Sequence, residues 1–140
     1  MKLLITTPTT VVADVQEVTA VRAEDASGSF GILEGHADFL TVLAISLLRW
    51  RGKDGSEHYC ALRQGVLTVK GGNEVMVATR EAVPGTDPEQ LEHAVLSRFQ
   101  ASADEEETAR ADAARLEIAA IRRIIRHLRP GGASILGDER

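Results

Sequence analysis

Val66-Leu67-Thr68-Val69-Lys70-Gly71-Gly72-Asn73-Glu74-Val75-Met76-Val77-Ala78-Thr79 decides the fold of the first half of this chain. Two runs of β-favouring residues flank Gly71-Gly72-Asn73, a tight hairpin signal because such turns need residues that tolerate φ > 0. A second hairpin is predicted around Trp50-Arg51-Gly52-Lys53-Asp54-Gly55-Ser56-Glu57, with strands on both sides. Upstream, Val18, Ala20 and Val21 sit among Thr19, Arg22 and Glu24 in another β-favouring mix. Short strands at close spacing with frequent glycine turns argue for a sandwich or barrel from Leu3 to about Val83.

The period changes after Pro84-Gly85. Asp87 can N-cap a helix, Pro88 suits its first position, and Gln90 completes an Asp-x-x-Gln box. From Glu89 to Arg129 there is neither glycine nor proline. Ser102-Ala103-Asp104-Glu105 offers a second capping box, which favours two helices joined near residue 102 over one long helix. Pro130-Gly131-Gly132 is a stop. The expected architecture is α+β: an N-terminal antiparallel β-sandwich over residues 1–85, a C-terminal α-helical hairpin over 86–130, and a flexible tail over 131–140.

Two patterns mark the helical part. Ala111, Ala114, Ile118, Ile121, Ile125 and Leu128 recur at steps of three and four. That seam serves a packed neighbour or one that exchanges partners. Charge is also segregated: residues 87–107 carry seven acids against Arg98, and residues 110–129 carry six arginines against Asp112 and Glu117. A charge run is commonly a solvated face. Six arginines without a lysine point instead to recognition, since the planar guanidinium pairs carboxylates bidentately.

Composition narrows the function. With aromatics at 4% of 140 residues, the core must be aliphatic. The net charge of −5 argues against nucleic-acid binding, which needs a basic surface. Cys60 is the only cysteine, so no internal disulfide forms and a reducing compartment is expected. The N-terminal apolar run is too short for a signal peptide, and no stretch approaches the ~20 apolar residues of a membrane span. His36, His58, His93 and His127 are scattered without metal-ligand spacing, and Cys60 beside His58 lacks an orienting third group. Asp25 and Asp38 make no convincing carboxylate pair. No catalytic, metal or cofactor site is expected.

One further run carries a family pattern. Gly28-Ser29-Phe30-Gly31-Ile32-Leu33-Glu34-Gly35-His36-Ala37-Asp38-Phe39-Leu40-Thr41 closely resembles the signature of the epsilon subunit of F-type ATP synthases. That signature has a Gly-x-x-Gly-Ile-x-Pro-Gly-His-Ala-x-Phe/Leu-Leu-Thr pattern, and Glu34 stands where it usually has proline. Gly65-Val66-Leu67-Thr68-Val69 and Asn73-Glu74-Val75-Met76-Val77 extend the likeness, which covers the chain to about Arg129. The resemblance implies a β-sandwich followed by two helices and a non-catalytic role in the central rotor stalk. It implies partners as well: the gamma subunit and the c ring for the sandwich, and the alpha/beta subunits for the helices. It also implies a peripheral position on the cytoplasmic face of the bacterial inner membrane.

By position, Ser27, Ser29 and the loop Glu34-Gly35-His36-Ala37 match the rotor-facing turns. In many bacterial members the helices restrain ATP hydrolysis by rising along gamma toward an acidic segment of beta. Arg115, Arg122, Arg123 and Arg126 are the residues expected to serve that role here. The ATP motif of some members, Ile/Leu-Asp-x-x-Arg-Ala, aligns with Thr86-Asp87-Pro88-Glu89-Gln90-Leu91, where only Asp87 fits, so no nucleotide site is carried over. Glu34 leaves open an alternate-type, ion-translocating F-type ATPase. From other classes, the alternatives are a free-standing nucleotide-responsive regulator and a small hydrolase.

Overall fold

Eight strands account for the first half of the chain in the computed structural model, which describes residues 1–128. They are β1 (Lys2–Thr6), β2 (Val11–Val15), β3 (Val18–Asp25), β4 (Gly28–Leu33), β5 (Phe39–Gly52), β6 (Glu57–Lys70), β7 (Glu74–Thr79) and β8 (Ala82–Gly85). Both hairpins read from the sequence form: β5 pairs β6 across residues 53–56, and β6 pairs β7 across Gly71-Gly72-Asn73. Gly71 and Gly72 have φ of 62° and 71°, the left-handed region that such a turn requires.

The strands hydrogen-bond in the order β2-β1-β7-β6-β5-β3-β4, with β8 added to β6. β5 and β6, at 14 residues each, serve both layers of the sandwich. One layer joins β2, β1 and β7 to the Gly65–Lys70 half of β6; the other joins β4, β3 and β8 to the opposite halves of β5 and β6. The crossing point on β6 is Gln64-Gly65, where Gln64 adopts φ 61°. A Cβ on Gly65 would strike the Ala78 carbonyl oxygen, so the close approach of β7 excludes any larger residue.

Period-2 burial builds the core. Leu67, Val69, Val75 and Val77 face inward and pack with Leu3, Ile5, Val21, Ile32, Leu43 and Leu48. The antiparallel expectation needs one correction: β1 and β7 run parallel, Leu3 opposite Val75 and Ile5 opposite Val77. Hairpin signals report only neighbouring strands, and this pair is separated by most of the sandwich sequence.

After β8 the chain turns helical. Asp87 caps α1 (Pro88–Gln90), its carboxylate accepting from the Glu89 and Gln90 amides at 3.1 and 3.4 Å. A π-helical turn over Leu91–Leu96 leads into α2, Ser97–His127. The helical hairpin is therefore corrected: α2 passes through Ser102 without a break. A capping box needs non-helical backbone at its serine, and the surrounding Ala, Glu and Arg residues are strong helix formers with no glycine or proline to oppose them. Pairs within the helix add support, Arg110–Glu106 at 4.0 Å and Arg115–Asp112. The expected stop at Pro130 and the tail over 131–140 lie outside the described residues.

The chain divides into two compact units, Met1–Ala101 and the part from Ser102 onward. In the first, Leu91 and Phe99 pack with Ala61, Ile45, Leu47, Tyr59 and Val83, so the start of the helical segment covers part of the outer face of the second layer. In the second, Ile118, Ile121 and Leu128 of the seam are exposed, together with Leu116 and Ile124.

Candidate functional site

The loop Glu34–Asp38 has no regular structure, yet it is tied at several points. The Gly35 amide donates to the Gly72 carbonyl at 2.7 Å, and the His36 amide donates to Leu33 at 3.1 Å, closing a turn. Asp38 Oδ1 accepts from the Gly71 amide at 2.9 Å. Gly35 has φ 88°, and a Cβ on Gly72 would lie 3.0 Å from the Gly35 Cα, so the loop and the β6–β7 turn touch through two glycines. His36 Nδ1 donates to the Ala37 carbonyl at 2.7 Å, and its ring lies 5.7 Å from that of Phe39. Phe39 in turn meets Phe30 edge to face at 5.7 Å, which links the loop to β4. Glu34 Oε1 stands 3.9 Å from the Met1 amino group, so the side chain that replaces proline faces a positive charge.

Ser27 sits in the β3–β4 turn. Asp25 Oδ1 accepts from its amide at 2.9 Å and from its hydroxyl, while Oδ2 accepts from Thr41 Oγ1 at 2.7 Å. Bonds from Ser27 first, then Thr41, hold the Asp25 carboxyl below its ordinary 3.8. Ser29 follows on β4, opposite Glu24. Thr41 and Phe39 belong to one strand, so a chain of contacts connects Ser27 to His36. Arg115, Arg122, Arg123 and Arg126 are apart from these turns in sequence and lie exposed on α2.

Beside the loops lies a surface that hairpin logic does not reveal. The outer face of the first layer carries Leu40 and Val42 at 66% exposure each, Met76 at 48% and Val66 at 38%. Val42 stands opposite Val66, and Thr68 stands opposite both Leu40 and Met76, so these side chains form adjoining cross-strand rows. Leu4 continues the row on β1, opposite Met76. A sheet with one solvated face ordinarily alternates apolar and polar residues. Val66-Leu67 and Val75-Met76-Val77 instead place apolar residues in both phases, so an apolar row stays exposed on the outer face.

Among the described residues no group of three or more His, Cys, Asp or Glu could hold a metal ion. Cys60 is buried, and burial pushes its thiol up to about 12, far from a reactive thiolate. No helix is long and apolar enough to cross a membrane among the described residues.

The family description "ATP synthase, Delta/Epsilon chain, beta-sandwich domain" matches residues 1–85. The "ATP synthase epsilon chain 2" of Cereibacter sphaeroides is 44% identical over 138 residues, covering 98% of this chain and 94% of that one. Its namesake in Paraburkholderia xenovorans is 42% identical, covering 93% of this chain and 94% of that one. Among solved structures, a chain of the Euglena gracilis mitochondrial ATP synthase OSCP/F1/c-ring assembly superposes with a TM-score of 0.57 at 26% identity. That superposition covers 66% of this chain and 59% of that one. A chain from the Tetrahymena thermophila mitochondrial ATP synthase central stalk and c-ring shares the fold, with a TM-score of 0.51 at 19% identity, over 59% of this chain and 65% of that one. With its sandwich matched by the family description and nearly its whole length aligned to epsilon chains, this protein belongs to the epsilon subunit family of F-type ATP synthases.

Proposed function

We propose that the chain is a non-catalytic central-stalk subunit that couples the catalytic head to the membrane c ring during ion-driven ATP synthesis. The observation that carries this reading is the apolar outer face around Leu40, Val42, Val66 and Met76 in a member of this family. That face docks the gamma subunit. The turns bearing Ser27, Ser29, Glu34, Gly35, His36 and Ala37 reach the c ring, a division supported by the contacts that knit them into one cluster. The subunit is thereby peripheral, held at the cytoplasmic face of the bacterial membrane through its partners.

The sandwich over residues 1–85 is the rotor-binding part, and residues 86–130 are regulatory. Arg115, Arg122, Arg123 and Arg126 approach acidic surface of the alpha/beta subunits and restrain ATP hydrolysis. Exposed ion pairs contribute only ~0–1 kcal/mol each, so the arginines act together. Replacing all four by alanine keeps helix propensity, raises ATP hydrolysis and weakens its salt dependence, with assembly intact. Hydrolysis unchanged at low and high salt removes the regulatory role. For the docking face, Val66→Glu with Met76→Glu abolishes association with gamma while the purified chain still melts cooperatively. Undiminished association of that folded variant refutes the assignment.

A further inference from the structure

The outer face of the second layer is only partly covered. Ile45 and Leu47 on β5 lie under Leu91, Leu96 and Phe99, but the same face continues to Arg49 and Arg51, both exposed. There Arg22, Arg49 and Arg51 line a concavity of about 420 Å³, with Ala20, Gly31 and Leu33 on its other sides. Arg22 stands directly opposite Arg49 across β3 and β5, an arrangement that disfavours the folded sheet because like charges oppose each other. Arg22 meets no acidic residue in the register, facing Gly31 on its other side, whereas Arg51 faces Ala20 on β3 and Glu57 on β6. The Glu57 carboxylate lies 3.8 Å from Arg51. The Arg49 guanidinium lies over the Tyr59 ring, 5.9 Å from its centre. Glu24 and Glu92 line the adjoining hollow with Arg22 and Arg49 and bound the positive strip on that side.

We infer that this concavity receives an acidic, extended segment of a neighbouring subunit in the rotary complex, carrying at least two carboxylates. The inference rests on the rotor reading above. A chain of net charge −5 that sets arginines against each other on an uncovered sheet face has placed them for an anion. Arg49 and Arg51 are two residues apart on one strand, so their spacing matches alternate side chains of an extended partner. All three guanidinium groups are exposed, and a single small anion would gain little from them in water. Several carboxylates on one backbone gather those small terms, and Leu33, at 64% exposure, adds an apolar contact at the rim.

Two measurements test this with Arg22→Gln/Arg51→Gln, which spares the Arg49 stacking. In the first, the full chain binds ATP synthase stripped of this subunit across a salt series. The variant is expected to bind about tenfold more weakly at low salt, with a shallower salt dependence. In the second, the isolated chain is titrated with a synthetic peptide of alternating Glu and Leu, and separately with inorganic phosphate. The wild type is expected to bind the peptide well ahead of phosphate, and the variant to lose that binding. Equal peptide binding by variant and wild type, or phosphate binding as tight as the peptide, overturns the inference. If the wild type binds the stripped enzyme and the variant matches it, the rotor reading survives and the acidic segment does not. If the peptide result holds and the stripped enzyme is ignored, the concavity still binds acidic peptide, but the rotor reading falls and the neighbouring-subunit occupant falls with it.

Discussion

Phe99 is the side chain on which attachment of the helical segment depends. It is fully buried, packed with Leu91 and Ala61 and walled by Ile45, Leu47, Tyr59 and Val83, and the Arg98 guanidinium lies 5.4 Å from its ring centre. Phe99→Ala removes a ring from a site with two rigid strands on one side, so collapse around the gap is limited. Substitutions of this kind cost about 3–5 kcal/mol. For a compact unit of this size, each kcal/mol moves the melting temperature by about 4–8 °C, so the shift is on the order of 10 °C or more. Thermal and urea unfolding followed by circular dichroism measures it, with Ile121→Ala as the control. Ile121 is half exposed, and its loss should stay within about 0.5 kcal/mol. The main sandwich core contains none of the residues after β8, so Phe99→Ala should leave a cooperatively folded β unit with a loosened helix start. A Phe99→Ala protein within 1 kcal/mol of wild type, by the ~3 kcal/mol floor above, would show that this contact does not hold the segment in place.

Gly65→Ala forces a methyl group against the Ala78 carbonyl oxygen at the point where β6 passes between layers, and it should cost about 1–3 kcal/mol or more; urea midpoints for Gly65→Ala and the neighbouring Val66→Ala separate the clash from simple truncation. Cys60 has a folded-state thiol raised from 9.0 to about 12, so its contribution is complete below pH 9.0 and declines as pH climbs toward 12. Cys60→Ala should flatten that alkaline loss, and native wild-type protein should resist thiol reagents near neutral pH. Asp25 is held below its ordinary 3.8, so its bonds to Ser27 and Thr41 stabilise the turn above that value and fail as pH falls through the depressed one. Melts in acid should show less pH dependence for Asp25→Asn than for wild type.

Much of this architecture was legible in local patterns. The glycine turns fixed both hairpins, the change of period at Pro84-Gly85 marked the end of the strands, and Asp87 caps its helix as the box at 87–90 predicts. What escaped was non-local or competitive. The parallel pairing of β1 with β7 leaves no mark in either strand, because each reads only as an apolar run. Ser102 carried a valid capping pattern, but a cap acts only where the helix has reason to stop, and strong helix formers on both sides gave none. The exposed apolar face was written in the double-phase runs at Val66-Leu67 and Val75-Met76-Val77, which strand assignment alone absorbs without asking where the second phase points. The arginine concavity was out of reach, since Arg22 and Arg49 meet only through the register of β3 on β5.

The most direct test of the central claim is cross-linking in the assembled enzyme, with single cysteines introduced at Val66 and, separately, at His36 in a Cys60→Ala background. Disulfide or short bifunctional cross-links resolved by mass spectrometry should join position 66 to the gamma subunit and position 36 to a c subunit or to gamma. Free labelling of both positions by a bulky maleimide in the intact complex, without cross-links to either partner, would contradict the account.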